Sequence, residues 1–358
     1  MKVGIVTMVS DNYGNRLQNY ALQEVLTEIG NEVETLNNPW NNGYNCHKER
    51  LMTIIKNLIY HMTKRPARYK RRINFERFNC ENIVFSKYWL NRKKDRECAA
   101  EYYDLFICGS DQIWNSEAKE INGKYFADFA DEKKRASYAA SFGIENIVES
   151  RKNEFASYLT GMSYISVREE SGKTIIENLI GKEAECHLDP TLLLLATKWD
   201  EVTLENRDVK GKYIFCYFLG EISQTILDTI EQYKKKNKIQ VFSILGSQTG
   251  THDYVGPGEF LGLIKHAEFV LTDSFHATSF SIIYRKPFYA FSRCSVKNSM
   301  DTRIISLLSL LGLENRFRKN NCNFDDLFEV DYDEVDKILD KERNKGVKYL
   351  TRITNCKN

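Results

Sequence analysis

The sequence predicts an α/β protein: two Rossmann-like domains in series, facing a cleft. Three observations predict it. Short apolar runs recur along the chain, and most end in a polar cluster. Between them lie segments whose apolar residues fall at helical spacing. At 358 residues the chain is also too long for one comfortable core and suits two domains of ordinary size. Strands alternating with helices imply parallel sheets. In open sheets of that kind ligands sit at the carboxyl ends of the strands. Polar residues that directly follow a buried run are therefore the first functional candidates.

Residues 3–9 (VGIVTMV) read as a buried strand and SDNYGN at 10–15 as a turn. From about Arg16 to Ile29 an amphipathic helix follows, with Leu17, Tyr20, Ala21, Val25 and Ile29 at helical spacing. Gly30 and Asn31 stop it, and Glu32 to Leu36 is the next strand. Further strands are expected at Tyr103–Cys108, Arg135–Ser141, Tyr164–Val167 and Ala184–Leu188. These end at Gly109-Ser110-Asp111, Phe142-Gly143, Arg168 and Asp189-Pro190.

A second block begins near Lys212, with strands at Tyr213–Leu219, Ile239–Leu245 and Phe269–Leu271 and a last one at Phe288–Phe291. Helices are expected at Ile222–Lys236, at Pro257–Ala267 with Pro257 near its first turn, from Ser274 to about Tyr284, and at Asp333–Leu350. The domain boundaries are set at 1–200, with a basic helical insertion at about 46–100, and 201–358, ending in the terminal helix.

Composition excludes several classes. With 42% hydrophobic and 28% charged residues, and 5 prolines against 20 tyrosines and 20 phenylalanines, long disorder is not expected. The formal net charge of +2 weighs against nucleic acid as partner. Within 48–97, however, basic residues outnumber acidic ones about threefold, most densely at Lys64, Arg65, Arg68, Lys70, Arg71 and Arg72. That stretch reads as a solvated helical face, or as a contact with anionic lipid at the inner leaflet. Nine cysteines without a Cys-x-x-Cys pair, some of them inside apolar runs (Cys108, Cys216), read as buried thiols of a reducing compartment. The first apolar run is too short for a secretory leader, and nothing reaches the roughly 18 apolar residues of a membrane span. A cytoplasmic protein, with room for peripheral contact at the membrane's inner face, is expected.

Four segments carry candidate chemistry. In EFVLTDSFHATSFSIIYRKPFYAF (268–291) a strand delivers Asp273, Ser274 can cap the following helix, and His276 lies in its first turn. Free backbone N–H groups there favour an anion, and an imidazole beside phosphate can act as general acid. A merely packed histidine explains the spacing equally well. Arg168 follows a buried strand, and its guanidinium suits a carboxylate or phosphate, or a salt bridge to a neighbour such as Glu169. The turn holding Asn12, Gly14 and Asn15 opens a helix and can hold an anion or a hydroxyl, or be a plain tight turn. In CGSDQIW (108–114), Gly109 and Ser110 allow close backbone approach, and Asp111 is either a base or a cap. The remaining histidines, at 47, 61, 187, 252 and 266, lack metal-ligand spacing, and no metal site is expected. No GxGxxG fingerprint or Walker pattern occurs.

Taken together, NYGNRLQNYALQ (12–23), DLFICGSDQIWN (104–115), YAASFG (138–143), SVREESG (166–172), HLDPTLLL (187–194) and TDSFHATSFSIIYRKPF (272–288) resemble the polysaccharide pyruvyl transferase family, in that family's order. The resemblance implies a glycosyltransferase-B-like fold and phosphoenolpyruvate as donor, with no metal or nucleotide cofactor. It implies His276 as catalytic acid, Arg168 as a donor-holding arginine, and Lys286 or Lys297 as a lysine facing the donor. Two departures stand out: Ala277 follows the histidine where glycine is frequent, and Ser274 stands where some branches carry arginine.

The activity implied is a ketal pyruvyltransferase. It would move the enolpyruvyl group of phosphoenolpyruvate onto vicinal or 4,6-type hydroxyls of a sugar in a surface polysaccharide or its lipid-linked precursor. Asp111 or Asp11 would be the base. Two rivals stay open. One is a nucleotide-sugar glycosyltransferase of the same fold, with Glu259 a candidate ribose ligand. The other is a non-catalytic glycan-binding protein. The sugar and the oligomeric state stay open as well.

Overall fold

The computed structural model describes every residue except 39–65, 207–208, 210, 245–253, 294–300, 320–323, 325 and 356–358, and only the backbone at 66–69. The chain divides into two compact units. The first comprises Met1–Arg50, Asn79–Leu194 and Lys341–Asn358, and the second Leu51–Phe78 and Leu195–Asp340.

The first unit is built on a parallel five-stranded sheet of order β3-β2-β1-β4-β5. Its strands are β1 (Lys2–Val6), β2 (Glu32–Asn37), β3 (Phe85–Trp89), β4 (Leu105–Cys108) and β5 (Arg135–Ser137). The helix Tyr13–Glu28 connects β1 to β2 as the apolar spacing predicts, and it starts earlier because Asn12 caps it. β4 is buried throughout, as a central parallel strand must be. β6 (Ser166–Val167) and β7 (Glu185–Cys186) form a separate parallel pair. Isolated bridges from Ala136 to Tyr164 and from Ala140 to Val167 bring it to the edge beyond β5. The expected strand at 135–141 therefore ends at Ser137: left-handed backbone at Ala139 (φ 46°) interrupts the pairing. The core gathers around Trp114, stacked on Phe126 at 5.1 Å.

The second unit carries another parallel five-stranded sheet, of order β12-β11-β10-β8-β9. Here β8 is Tyr213–Tyr217, β9 Gln240–Ile244, β10 Phe269–Thr272, β11 Phe288–Phe291 and β12 Phe317–Arg318. β11 is thus not the last strand, since β12 pairs outside it through only two residues. Helices Gln224–Asn237, Pro257–Lys265 and Phe275–Ile283 connect the inner strands. Ile214, Cys216, Leu271 and Phe291 are among the residues that fill the core. Among the described residues no helix is long and apolar enough to cross a membrane.

Both sheets place their order reversal next to the first strand, between β1 and β4 in the first unit and between β8 and β10 in the second. Such switch points open a crevice at the strands' carboxyl ends.

Candidate active site

In the first unit the loops after β1 and β4 meet at the switch point. Asn12 caps the helix Tyr13–Glu28, its side-chain oxygen accepting from the Asn15 N–H at 3.2 Å. Asn15, buried, accepts from the Ser10 hydroxyl and donates to the Asp111 carboxylate. Asp111 stands in left-handed backbone, φ 69°. Aspartate visits that region more readily than most residues, but the conformation still stores strain, and such strain gathers at functional sites.

Arg168 leaves β6 with a side chain 2% exposed. Its Nη1 lies 2.7 Å from Asp189, its Nε 3.3 Å from Glu169 and its Nη2 4.0 Å from Asp111. Burial opposes the charge, but Glu169, Asp189 and Asp111 outweigh it and raise the guanidinium pKa. Ser110 donates to Asp189 at 2.8 Å, and Ser141 donates to Glu169. One cation thus holds three carboxylates, of which Asp111, at 13% side-chain exposure, is the most open.

In the second unit the loops after β8 and β10 meet in the same way. The Asp273 carboxylate accepts from the backbone N–H groups of Leu219 and Gly220 at 2.7 and 2.8 Å. Thr272 ties the end of β10 to the Tyr217 carbonyl at 2.5 Å and accepts from the Ser274 N–H at 3.0 Å. Ser274 caps the nine-residue helix Phe275–Ile283, receiving the Ala277 N–H at 3.5 Å. His276 is therefore fixed in the first turn, 7% exposed, its ring edge-on to Phe275 at 5.3 Å. A model of the polysaccharide pyruvyl transferase family matches residues 12–295, which takes in both switch points. The chain belongs to that family.

It is accordingly a transferase of polysaccharide biosynthesis, acting between a pyruvyl donor and a sugar acceptor. No curated protein matches the chain. Among solved structures it is similar to a UDP-GlcNAc 2-epimerase from Methanocaldococcus jannaschii, at 12% identity over 96% of this chain and 93% of that one, TM-score 0.52. It is also similar to the UDP-GlcNAc 2-epimerase of Neisseria meningitidis, at 11% identity over 99% and 98%, TM-score 0.51. These likenesses show the fold, two Rossmann-type units of the glycosyltransferase-B kind.

Within this transferase the sequence candidates fall into two clusters. Asn12, Gly14, Asn15, Gly109, Ser110, Asp111 and Arg168 gather at the first switch point. An added Cβ on Gly109 would stand 3.4 Å from Leu22 and Thr7, an ordinary contact distance. Asp273, Ser274 and His276 gather at the second.

Lys286 lies apart from both clusters. It precedes β11, and the Pro287 carbonyl next to it pairs with the N–H of Val270 near the start of β10. Because β10 and β11 are parallel, Lys286 lies at the amino edge of the sheet and His276 at the carboxyl edge. About four strand residues, roughly 13 Å, separate the two edges. Burial lowers the Lys286 pKa, with Glu268 and Lys265, also outside the carboxyl edge, acting on it. Lys297 lies outside the described residues.

Sequence reasoning named Glu169 only as a salt-bridge neighbour and Asp189 only as a strand end, and it passed over Arg293. Each follows a strand end and could have been found by the same rule that found Arg168. Among the described residues no His/Cys/Asp/Glu group is placed to hold a metal ion. Cys108 and Cys216 are buried.

Proposed function

We propose that the chain is a ketal pyruvyltransferase that uses phosphoenolpyruvate and a sugar diol of the vicinal or 4,6 type, in a surface polysaccharide or its lipid-linked precursor. The observation that carries this reading is His276 in the first turn of a Ser-capped helix at a switch point. The N-terminal amides of that helix favour the donor's anionic groups, and the imidazole is placed to deliver a proton beside them.

His276 protonates the methylene carbon of the donor, which becomes a methyl group, and positive charge develops at C2. A sugar hydroxyl adds there and gives its proton to a base. The C2–O bond to phosphate then breaks, inorganic phosphate leaves, and the second hydroxyl adds with loss of its proton to close the ketal. In the first unit the guanidinium of Arg168 is held least tightly on its Nη2 side, where Asp111 stands at 4.0 Å, and a guanidinium suits a carboxylate. Fixed dipoles and charges that meet developing charge in this way lower the barrier.

The test is phosphate release by the full chain with phosphoenolpyruvate against a panel of galactosides and mannosamine glycans. Release should require both donor and diol and should fall by about two to four orders of magnitude in His276→Ala, with the melting temperature nearly unchanged. Near-normal release by that variant, or turnover of a nucleotide sugar in place of phosphoenolpyruvate, would refute the proposal.

A further inference from the structure

The amino-edge position of Lys286 leaves open which cation of the second unit meets an anion at the first turn of the His276 helix. β11 ends at Phe291, and the chain leaves its carboxyl end through Ser292 and Arg293. The Arg293 side chain is 13% exposed. Its Nε donates to the Asp273 carboxylate and its Nη2 to the Asp273 carbonyl, each at 3.2 Å. Asp273 immediately precedes Ser274, the cap of the helix that carries His276.

The approach is fixed from the other side too. The Asp301 carboxylate accepts from the Arg293 N–H at 3.3 Å and from the Ser292 hydroxyl at 2.5 Å. An added Cβ on Gly220 would come within 2.7 Å of the Arg293 Cγ, so that glycine leaves room for the arginine's stem. Another arginine, the buried Arg303, sets its guanidinium carbon 5.9 Å from the centre of the Phe275 ring, in the same helix turn. At the end of β8, burial raises the Tyr217 pKa most. Of the charges acting on that phenol, Arg71 and Arg293 lower its pKa and Asp273 raises it. The carboxyl edge therefore collects guanidinium groups around a helix N-terminus, with Asp273 and Asp301 orienting one of them. Planar guanidinium forks and free helix amides are both phosphate-binding chemistry.

We infer that Arg293 binds the phosphate group of the donor at the first turn of helix Phe275–Ile283, with Asp273 and Asp301 as its positioning residues. The inference rests on the reading of the donor as an enolpyruvyl phosphate. It gives the second unit a phosphate ligand that comes from the end of β11.

Calorimetry on the full chain with phosphoenolpyruvate and with inorganic phosphate tests it. Arg293→Ala should weaken both anions by about 10- to 100-fold, the loss expected for charge-assisted hydrogen bonds, and raise KM for phosphoenolpyruvate with the acceptor KM unchanged. Arg293→Lys should lose less, because an ammonium keeps the charge but not the fork. Gly220→Ala, which pushes Arg293 aside, should weaken both anions as well. Should Arg293→Ala fail to fold, Arg293→Lys and Gly220→Ala carry the comparison. Unchanged phosphate affinity in folded Arg293 variants overturns the inference. A parent chain that binds phosphate but not phosphoenolpyruvate removes the donor reading, and the Arg293 comparison still decides with phosphate alone. Binding of neither anion overturns both.

Discussion

Replacing Arg168 by methionine keeps most of the side-chain volume and removes the charge. In the parent, Arg168 and Asp189 are 2% and 0% exposed and 2.7 Å apart, and Glu169, 3% exposed, lies 3.3 Å from the same guanidinium. Solvent screening is therefore minor. Breaking a buried pair by removing one partner costs about 3–5 kcal/mol, because the charge left behind has no compensation. Here two buried carboxylates and the nearby Asp111 would be left together, which puts the expectation at the upper end.

For a unit of this size each kcal/mol moves the melting temperature by about 2–4 °C, so Arg168→Met should melt roughly 10–20 °C lower. Removing the opposite charge as well, in Arg168→Met with Asp189→Asn, should recover part of the loss. The recovery measures the coupling between the two groups. Urea unfolding of the four chains, followed by fluorescence, supplies the cycle. An Arg168→Met chain within about 1 kcal/mol of the parent would refute the argument that this guanidinium organises the acidic node.

Two other outcomes follow from the same unit. Asp111→Asn keeps a side chain that tolerates left-handed backbone, so its stability should change by less than about 1 kcal/mol. Its phosphate release should nevertheless fall by about two orders of magnitude or more if Asp111 takes the acceptor's proton; steady-state assays check this, and full turnover would move that role to Asp11 or elsewhere. Burial holds the His187 imidazole below the ordinary histidine pKa, while Glu185, Arg352, Glu342 and Lys345 act on it in opposing directions. As pH falls through about 6.5 the unfolded chain binds a proton that the folded chain refuses. Folding therefore weakens toward acid, and the contribution is intact above that pH. His187→Gln should flatten the fall in stability between pH 7 and pH 5 in urea titrations, and identical pH slopes would refute it.

Much of this architecture is legible in the sequence because a parallel strand buried on both faces must be a short apolar run, and the residue after it must face the crevice. That is why Asp111, Arg168 and His276 could be picked out one by one as candidates. β3 escaped the rule: FSKYW puts charge and hydroxyl among its apolar residues, as an outer strand can. β12 has only two residues.

Distance along the chain says little about which edge of the sheet a residue reaches. Lys286 stands ten residues after His276, but the helix between them carries the chain from the carboxyl edge of the sheet to its amino edge. Arg293 stands farther off in sequence, and one strand brings the chain back to the edge where Asp273 waits. In a parallel sheet every connection crosses the full strand length, so edge membership alternates between the start and the end of each strand. A candidate must be assigned to an edge before its distance in sequence means anything. Applied to the second unit, that assignment puts Lys286 at the amino edge and Arg293 at the carboxyl edge, beside Asp273.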